Sequence, residues 1–141
     1  MIIVRNTNNM RYLLDTHNLS NKILSISAHR TDLYTLDEIV AEYAYSQKEV
    51  QKIARAGIQI LNLEKKHLDK MKEIMQSHGG NLKLIRLLTS KGTGDISMLA
   101  FALAEKEIPE TLFYEPYTLV TQDNELRLIA GSYGIPCIDT L

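Results

Sequence analysis

The chain has 141 residues, 45% of them hydrophobic and 23% charged, with a formal net charge of −1. This composition is typical of one soluble globular domain with a sizeable core, and it excludes overall charge as a source of attraction to nucleic acid or membranes. A single cysteine, Cys137, excludes an internal disulfide and a cysteine-based zinc ribbon. There is no apolar run of membrane-spanning length and no signal-peptide pattern, so we expect a cytoplasmic protein without a membrane partner.

The first nine residues differ from the rest, because a short apolar start is followed by an Asn-rich stretch without periodicity. We predict an N-terminal extension over residues 1–9 and one domain over residues 10–141. An added edge strand over residues 1–4 is the alternative.

From residue 10 onward, apolar strand-like runs alternate with helical patterns. The predicted elements are a strand over 12–14, a helix over 19–26, a strand over 33–34, helices over 36–46 and 48–56, a strand over 58–61, helices over 67–76, 82–88 and 95–107, a strand over 117–120, a helix over 124–133 and a strand over 135–138. Such short alternation requires parallel crossovers. The fold class is therefore α/β, a single three-layer α/β/α domain with a mostly parallel central sheet.

Four acidic residues stand where a strand or loop meets a helix, or in the first turns of that helix: Asp15, Glu42, Asp95 and Asp123. Open α/β sheets build their sites beyond the carboxyl ends of their strands. Four carboxylates gathered there would repel one another without a cation between them. Mg²⁺ and Mn²⁺ are the expected cations, because they prefer carboxylate and water oxygens as ligands. Taken singly, each aspartate also has a structural explanation, as a turn former or a helix cap.

Glu42 competes with a neighbouring acid, Glu38. The segment Thr35-Leu36-Asp37-Glu38 has the pattern of a capping box, which would account for Glu38 without a function. On a helical wheel Glu38 lies opposite the apolar stripe, whereas Glu42 lies at its rim. We therefore predict Glu42 as the ligand.

Four segments together resemble the PIN domain, a fold of metal-dependent ribonucleases. They are MRYLLDTHNL, LDEIVAEYA, GTGDISMLAFALA and LVTQDNELRLIAGSYGIPCID, in order over almost the whole chain. The resemblance implies that the four acids hold one or two Mg²⁺ or Mn²⁺ ions, which orient water for attack on a phosphodiester. Thr16 and Thr121 are the expected hydroxyls that orient a carboxylate or a water.

The resemblance also implies an RNA substrate, single-stranded or looped, held near the acids by basic side chains. The candidates are Lys83, Arg86, Lys91 and Arg127, and a solvated helix face is the alternative for them. Within the family, VapC-type toxins, silenced by an antitoxin protein, are the most similar. Archaeal ribosome-maturation nucleases are the second subfamily that the chain resembles. A catalytically silent PIN fold that only binds RNA or protein is a further alternative. We also predict a homodimer, because the apolar helix over 96–104 needs cover on nearly all sides.

Overall fold

A computed structural model describes residues 10–15, 19, 31–43, 46–77, 94–107 and 116–141, with only the backbone of residues 42–43 and 94–95. Its strands are β1 (Arg11–Leu14), β2 (Leu33–Leu36), β3 (Gln59–Leu61), β4 (Tyr117–Val120) and β5 (Cys137–Ile138). Its helices are α1 (Asp37–Tyr43), α2 (Gln47–Arg55), α3 (Lys65–Ser77), α4 (Gly94–Lys106) and α5 (Asn124–Ser132). The predicted extension, the helices over 19–26 and 82–88, and Thr16, Lys83, Arg86 and Lys91 lie outside the described residues.

The five strands form one sheet in the order β3-β2-β1-β4-β5, and every neighbouring pair is parallel. The predicted α/β class and its parallel crossovers are thus confirmed. All four residues of β4 are buried, as expected of a strand covered on both faces. The arrangement is compatible with three α/β/α layers. In the described part of the chain, no helix is long and apolar enough to cross a membrane.

Two glycines end helices as their positions in the sequence predict. Gly57 follows α2 with φ 86°, and Gly134 follows α5 with φ 72°. Residues with side chains rarely adopt such left-handed backbone, whereas glycine does so without a steric penalty. Each glycine therefore turns the chain from its helix toward the strand that follows.

Helix α4 is buried within its own chain. Every residue from Ile96 to Ala104 is buried, and α4 packs against α3, β4, α1, β2 and α5. The apolar character of this helix was predicted correctly. The argument that a second subunit must cover it is wrong, because neighbouring elements of the same chain do so. The predicted homodimer must rest on other grounds.

The buried face of α3 differs from the predicted one. From its sequence this segment is an exposed amphipathic helix with Leu68, Met71 and Met75 on its apolar face, yet Leu68 and Met75 of that face are exposed. The buried residues of α3 are His67 and Ile74. A polar residue can be buried between two helices when the neighbouring helix offers it a hydrogen-bond partner, and Glu105 on α4 is such a partner for His67.

Candidate active site

Asp15 directly follows the central strand β1, and its position is fixed from both neighbouring strands. Its backbone N–H donates to the carbonyl oxygen of Val120 on β4 (3.3 Å). On the other side, Oγ1 of Thr35 on β2 donates to the carbonyl oxygen of Leu14 (3.0 Å). The side chain of Asp15 is only 5% exposed. A carboxylate at a strand end is thus held in a nearly buried, well-defined place.

The segment after β4 is equally well fixed. The N–H of Thr121 donates to the carbonyl oxygen of Ile138 on β5 (3.0 Å). Its buried Oγ1 accepts from the N–H of Asp123 (3.2 Å). Thr121 therefore holds the turn that presents Asp123, whereas the role predicted for its hydroxyl, to orient a carboxylate or a water, stays a prediction.

Asp123 is the N-cap of α5, and its Oδ1 accepts from the N–H of Leu126 (3.0 Å). Asp123 thus caps a helix, which was the structural alternative to a metal ligand for this residue. It does not exclude metal binding, because an ionised carboxylate has two oxygens and about four acceptor positions. The cap orients the carboxylate at the carboxyl edge of the sheet.

Leu14 on β1 is paired with Val120 on β4. Asp15 follows Leu14 and Thr121 follows Val120, so Asp15 and Thr121 are neighbours across the sheet. The strand order places this pair at the topological switch point. β2 and β3 extend the sheet to one side of β1, whereas β4 and β5 lie on the other. Ligands of open α/β sheets bind in the crevice at this point, beyond the carboxyl ends of the strands. Two of the four predicted acids, Asp15 and Asp123, therefore come from segments that meet there.

The predicted capping box does not form. Thr35 lies within β2, the helix begins at Asp37, and the Thr35 hydroxyl is used by Leu14. Glu38 does not reach back toward Thr35, and its Oε2 accepts from Oγ of Ser97 on α4 (2.6 Å). The capping-box argument for Glu38 is thus wrong, and Glu38 becomes a further candidate carboxylate beside the predicted Glu42.

The other two predicted acids are described only by their backbone. Glu42 lies in the last turn of α1, and Asp95 is the second residue of α4. In the crossover that leads into parallel strand β4, α4 begins at the carboxyl edge of the sheet. The contact between Ser97 and Glu38 agrees with this, because it joins the first turn of α4 to the first turn of α1 just after β2.

Among the His, Cys, Asp and Glu side chains that the structure describes, no three lie close enough together to hold a metal ion. Asp15, Glu38 and Asp123 therefore do not form such a group by themselves. The carboxylates of Asp95 and Glu42 are not among these described side chains.

Arg127 is the one predicted basic residue within the described part of the chain. Its Nη1 forms an ion pair with Oδ1 of Asp139, which follows β5 at the same edge of the sheet. Its side chain is 35% exposed. Arg127 thus brings a positive charge near the start of α5, and Asp139 holds it there.

Sequence reasoning overlooked Ser97 and assigned Glu38 a capping contact that does not form. Ser97 is the only hydroxyl residue in the apolar run from Ile96 to Ala104, and it is fully buried. A buried hydroxyl requires a hydrogen-bond partner. This isolated polar residue was the signal that α4 meets a polar group from another element.

A comparison of the sequence with models of known protein families gives no match, and neither does a comparison with curated proteins.

Proposed function

We propose that this chain is a metal-dependent endoribonuclease with a PIN-like fold, which hydrolyses RNA phosphodiesters at a site of four carboxylates. The observation that carries the proposal is the pairing of Leu14 with Val120 at the switch point of the sheet. Asp15 follows one of these residues, and the turn to Asp123 follows the other. The resemblance of four ordered segments to PIN domains supports the same function.

The donor chemistry of this edge fits Mg²⁺ or Mn²⁺. Asp15, Asp95 and Asp123, with Glu42 or Glu38, would supply the oxygen ligands that these ions take, directly or through water. The bound ion would lower the pKa of a water and stabilise charge on the phosphoryl oxygens. A hydrolysis of this kind requires no nucleophilic side chain.

The chain's own residues have separable tasks in this proposal. Asp15, which is 5% exposed, would hold the cation at a place with little contact with bulk water. Thr121 fixes the turn before Asp123 through its hydroxyl. Arg127 would bind a backbone phosphate by exchanging Asp139 for phosphate oxygens, because a carboxylate and a phosphate both offer two oxygens that accept paired hydrogen bonds from guanidinium. Lys83, Arg86 and Lys91 are proposed to extend this contact along a single-stranded or looped RNA.

The biological role that we propose is that of a toxin in a toxin–antitoxin pair, in which a small antitoxin protein silences the nuclease. The proposal follows from the greater resemblance to VapC-type toxins. A small reading frame with a DNA-binding N-terminus, next to this gene, is the expected genomic neighbour. An isolated gene would favour a ribosomal-RNA-processing nuclease.

The test of the activity is cleavage of single-stranded RNA by the purified chain with Mg²⁺ or Mn²⁺, before and after addition of EDTA. We expect Asp15→Asn and Asp123→Asn to lower the rate by several orders of magnitude. Asn caps a helix as well as Asp does, so Asp123→Asn separates the cap from the ligand. Asp69→Asn is the matched control, since this carboxylate lies on α3 in an exposed pair with Lys65. Full activity of Asp15→Asn, or activity that survives EDTA, would overturn the proposal.

A further inference from the structure

An open groove of about 550 Å³ runs along α5 beside the last strand, β5. Four of its lining residues lie three or four positions apart on one face of α5, and two come from the segment that forms β5: Asn124, Arg127, Leu128, Gly131, Ile135 and Cys137. From Asn124 to Gly131 the helix rises by about 10 Å. Sites for small molecules commonly measure about 300–1,000 Å³, so the groove has room for a ligand the size of one nucleotide.

The lining combines one positive charge with apolar walls. Arg127 is the only charged residue among the six that line the groove, and Asp139 holds its guanidinium by an ion pair. Leu128, which is 75% exposed, offers an apolar surface on the helix side. The amide of Asn124 can both donate and accept hydrogen bonds. This lining is complementary to a ligand that has a negative charge, a flat apolar ring and polar ring edges.

Gly131 keeps the groove open. It lies in the last turn of α5, where glycine stabilises a helix less than alanine does. A β-carbon added at Gly131 would meet no neighbouring atom within 4 Å, so close packing does not require a glycine at this position. A larger side chain there would project into the groove that Gly131 lines. The missing side chain therefore leaves room for a ligand.

We infer that this groove binds one unstacked base of a single-stranded RNA while Arg127 binds a phosphate of the same strand. Asn124 directly follows Asp123, the N-cap of α5, so the groove begins beside one of the carboxylates proposed to act in hydrolysis. Unpaired bases can leave their stack and offer their edges to polar side chains, whereas the bases of a duplex cannot. The inference rests on the proposed function and deepens it, because it adds a base-binding subsite next to the bond that is cleaved.

The experiment measures the affinity of the chain for two fluorescent oligomers by anisotropy, in EDTA so that neither oligomer is cleaved. One is a single-stranded RNA, and the other is the same ribose–phosphate backbone without bases. Gly131→Met fills the groove, and Leu128→Ser removes part of its apolar wall at an exposed position. Ser132→Met is the matched control, because it adds the same side chain at the next residue of α5, which does not line the groove. Unfolding by denaturant is recorded for each variant, and Leu128→Ser carries the test if Gly131→Met does not fold.

We expect Gly131→Met and Leu128→Ser to weaken RNA binding by at least about fivefold, as the loss of contacts to one base does in other proteins. Binding of the oligomer without bases should not change, and Ser132→Met should bind both oligomers as the wild type does. Equal affinity of the wild type for the two oligomers, or wild-type RNA affinity in Gly131→Met, would overturn the inference. RNA cleavage that needs Mg²⁺ or Mn²⁺ would leave the proposed nuclease intact in that case.

Two further outcomes separate the inference from its alternatives. Light scattering that reports a dimer for the wild type and a monomer for Leu128→Ser, at unchanged RNA affinity, would assign the groove to a contact between subunits and overturn the inference. A wild-type chain that neither binds nor cleaves single-stranded RNA would overturn both the inference and the proposed function.

Discussion

Nε2 of His67 lies 3.1 Å from Oε1 of Glu105, and this contact fastens the start of α3 to the last turns of α4. The other ring nitrogen, Nδ1, accepts from the backbone N–H of Glu64 (2.9 Å). A ring nitrogen that accepts carries no proton, so the proton of the neutral ring lies on Nε2 and is donated to Glu105. The ring also stacks on Phe101, with centroids 4.5 Å apart. A histidine thus performs the task of a capping residue and of a bridge between two helices.

His67→Ala tests this bridge. We expect the free energy of unfolding to fall by about 2–4 kcal/mol, because a large buried side chain is lost and the Glu64 amide loses its acceptor. Leu68→Ala, at the next position, is the control, since Leu68 is 45% exposed and should change stability by less than about 1 kcal/mol. Urea denaturation followed by circular dichroism measures both. An equal loss in the two variants would contradict the observed face of α3.

Glu38→Gln and Glu42→Gln form the second test. Glutamine keeps the size of either side chain and removes its charge, so metal binding weakens where the carboxylate is a ligand. We expect Glu38→Gln to reduce RNA cleavage, because Ser97 holds this carboxylate at the carboxyl edge. Cleavage rates of both variants, measured with Mn²⁺ under the same conditions, decide between the two acids. Undiminished cleavage by Glu38→Gln together with an inactive Glu42→Gln would identify Glu42 as the ligand and exclude Glu38.

The thiol of Cys137 provides a pH-dependent prediction. Burial raises the pKa of Cys137, and the positive charge of Arg127 opposes this with a smaller effect. Because the folded pKa lies above the unfolded one, the folded chain has less thiolate at pH 8 than a free cysteine, whose pKa is about 8.5. We therefore expect iodoacetamide to react more slowly with the folded chain than with the chain in urea. The associated contribution to stability is lost as the pH rises through the folded pKa. Equal rates at pH 8 would contradict the prediction.

A homodimer is the fourth prediction. The net charge of −1 gives one chain little attraction to RNA, whereas a symmetric pair would place two clefts and their basic residues along one RNA path. Light scattering at micromolar concentration should report twice the chain mass of 16.0 kDa. A monomer at that concentration would contradict the prediction, and the burial of α4 within its own chain is compatible with that result.

The C-terminal third was predictable because its signals are local. The strand Tyr117–Val120 is continuously apolar, Asp123 is a good cap, and Gly134 allows the left-handed turn before β5. Each residue is placed by its near neighbours in sequence, so local patterns determine the element and its ends.

The predictions that failed depend on contacts between distant residues. Thr35 and Glu38 have the spacing of a capping box, but Leu14 and Ser97 supply partners that the local pattern does not contain. Lys70 on α3 is also held by partners, because its ammonium donates to Glu107, which follows α4, and to Glu73 on its own helix. These two acceptors raise the pKa of Lys70, the Glu107 bond having the larger effect. The partners of Thr35 and Glu38 thus come from other elements of the fold, and a local sequence pattern does not contain them.

The pairing of β1 with β4 has a consequence for synthesis of the protein. Leu14 belongs to the first described strand and Val120 to the fourth, yet these two strands are hydrogen-bonded neighbours in the sheet and the two residues lie side by side. A nascent chain therefore exposes one edge of β1 until Tyr117 to Val120 have left the ribosome. Pairing over such a long loop is slow, because the entropy of closing it opposes the contact until much of the fold is in place. The segments that carry Asp15 and Asp123 consequently come together only in a nearly finished chain, and truncated translation products lack the crevice between them.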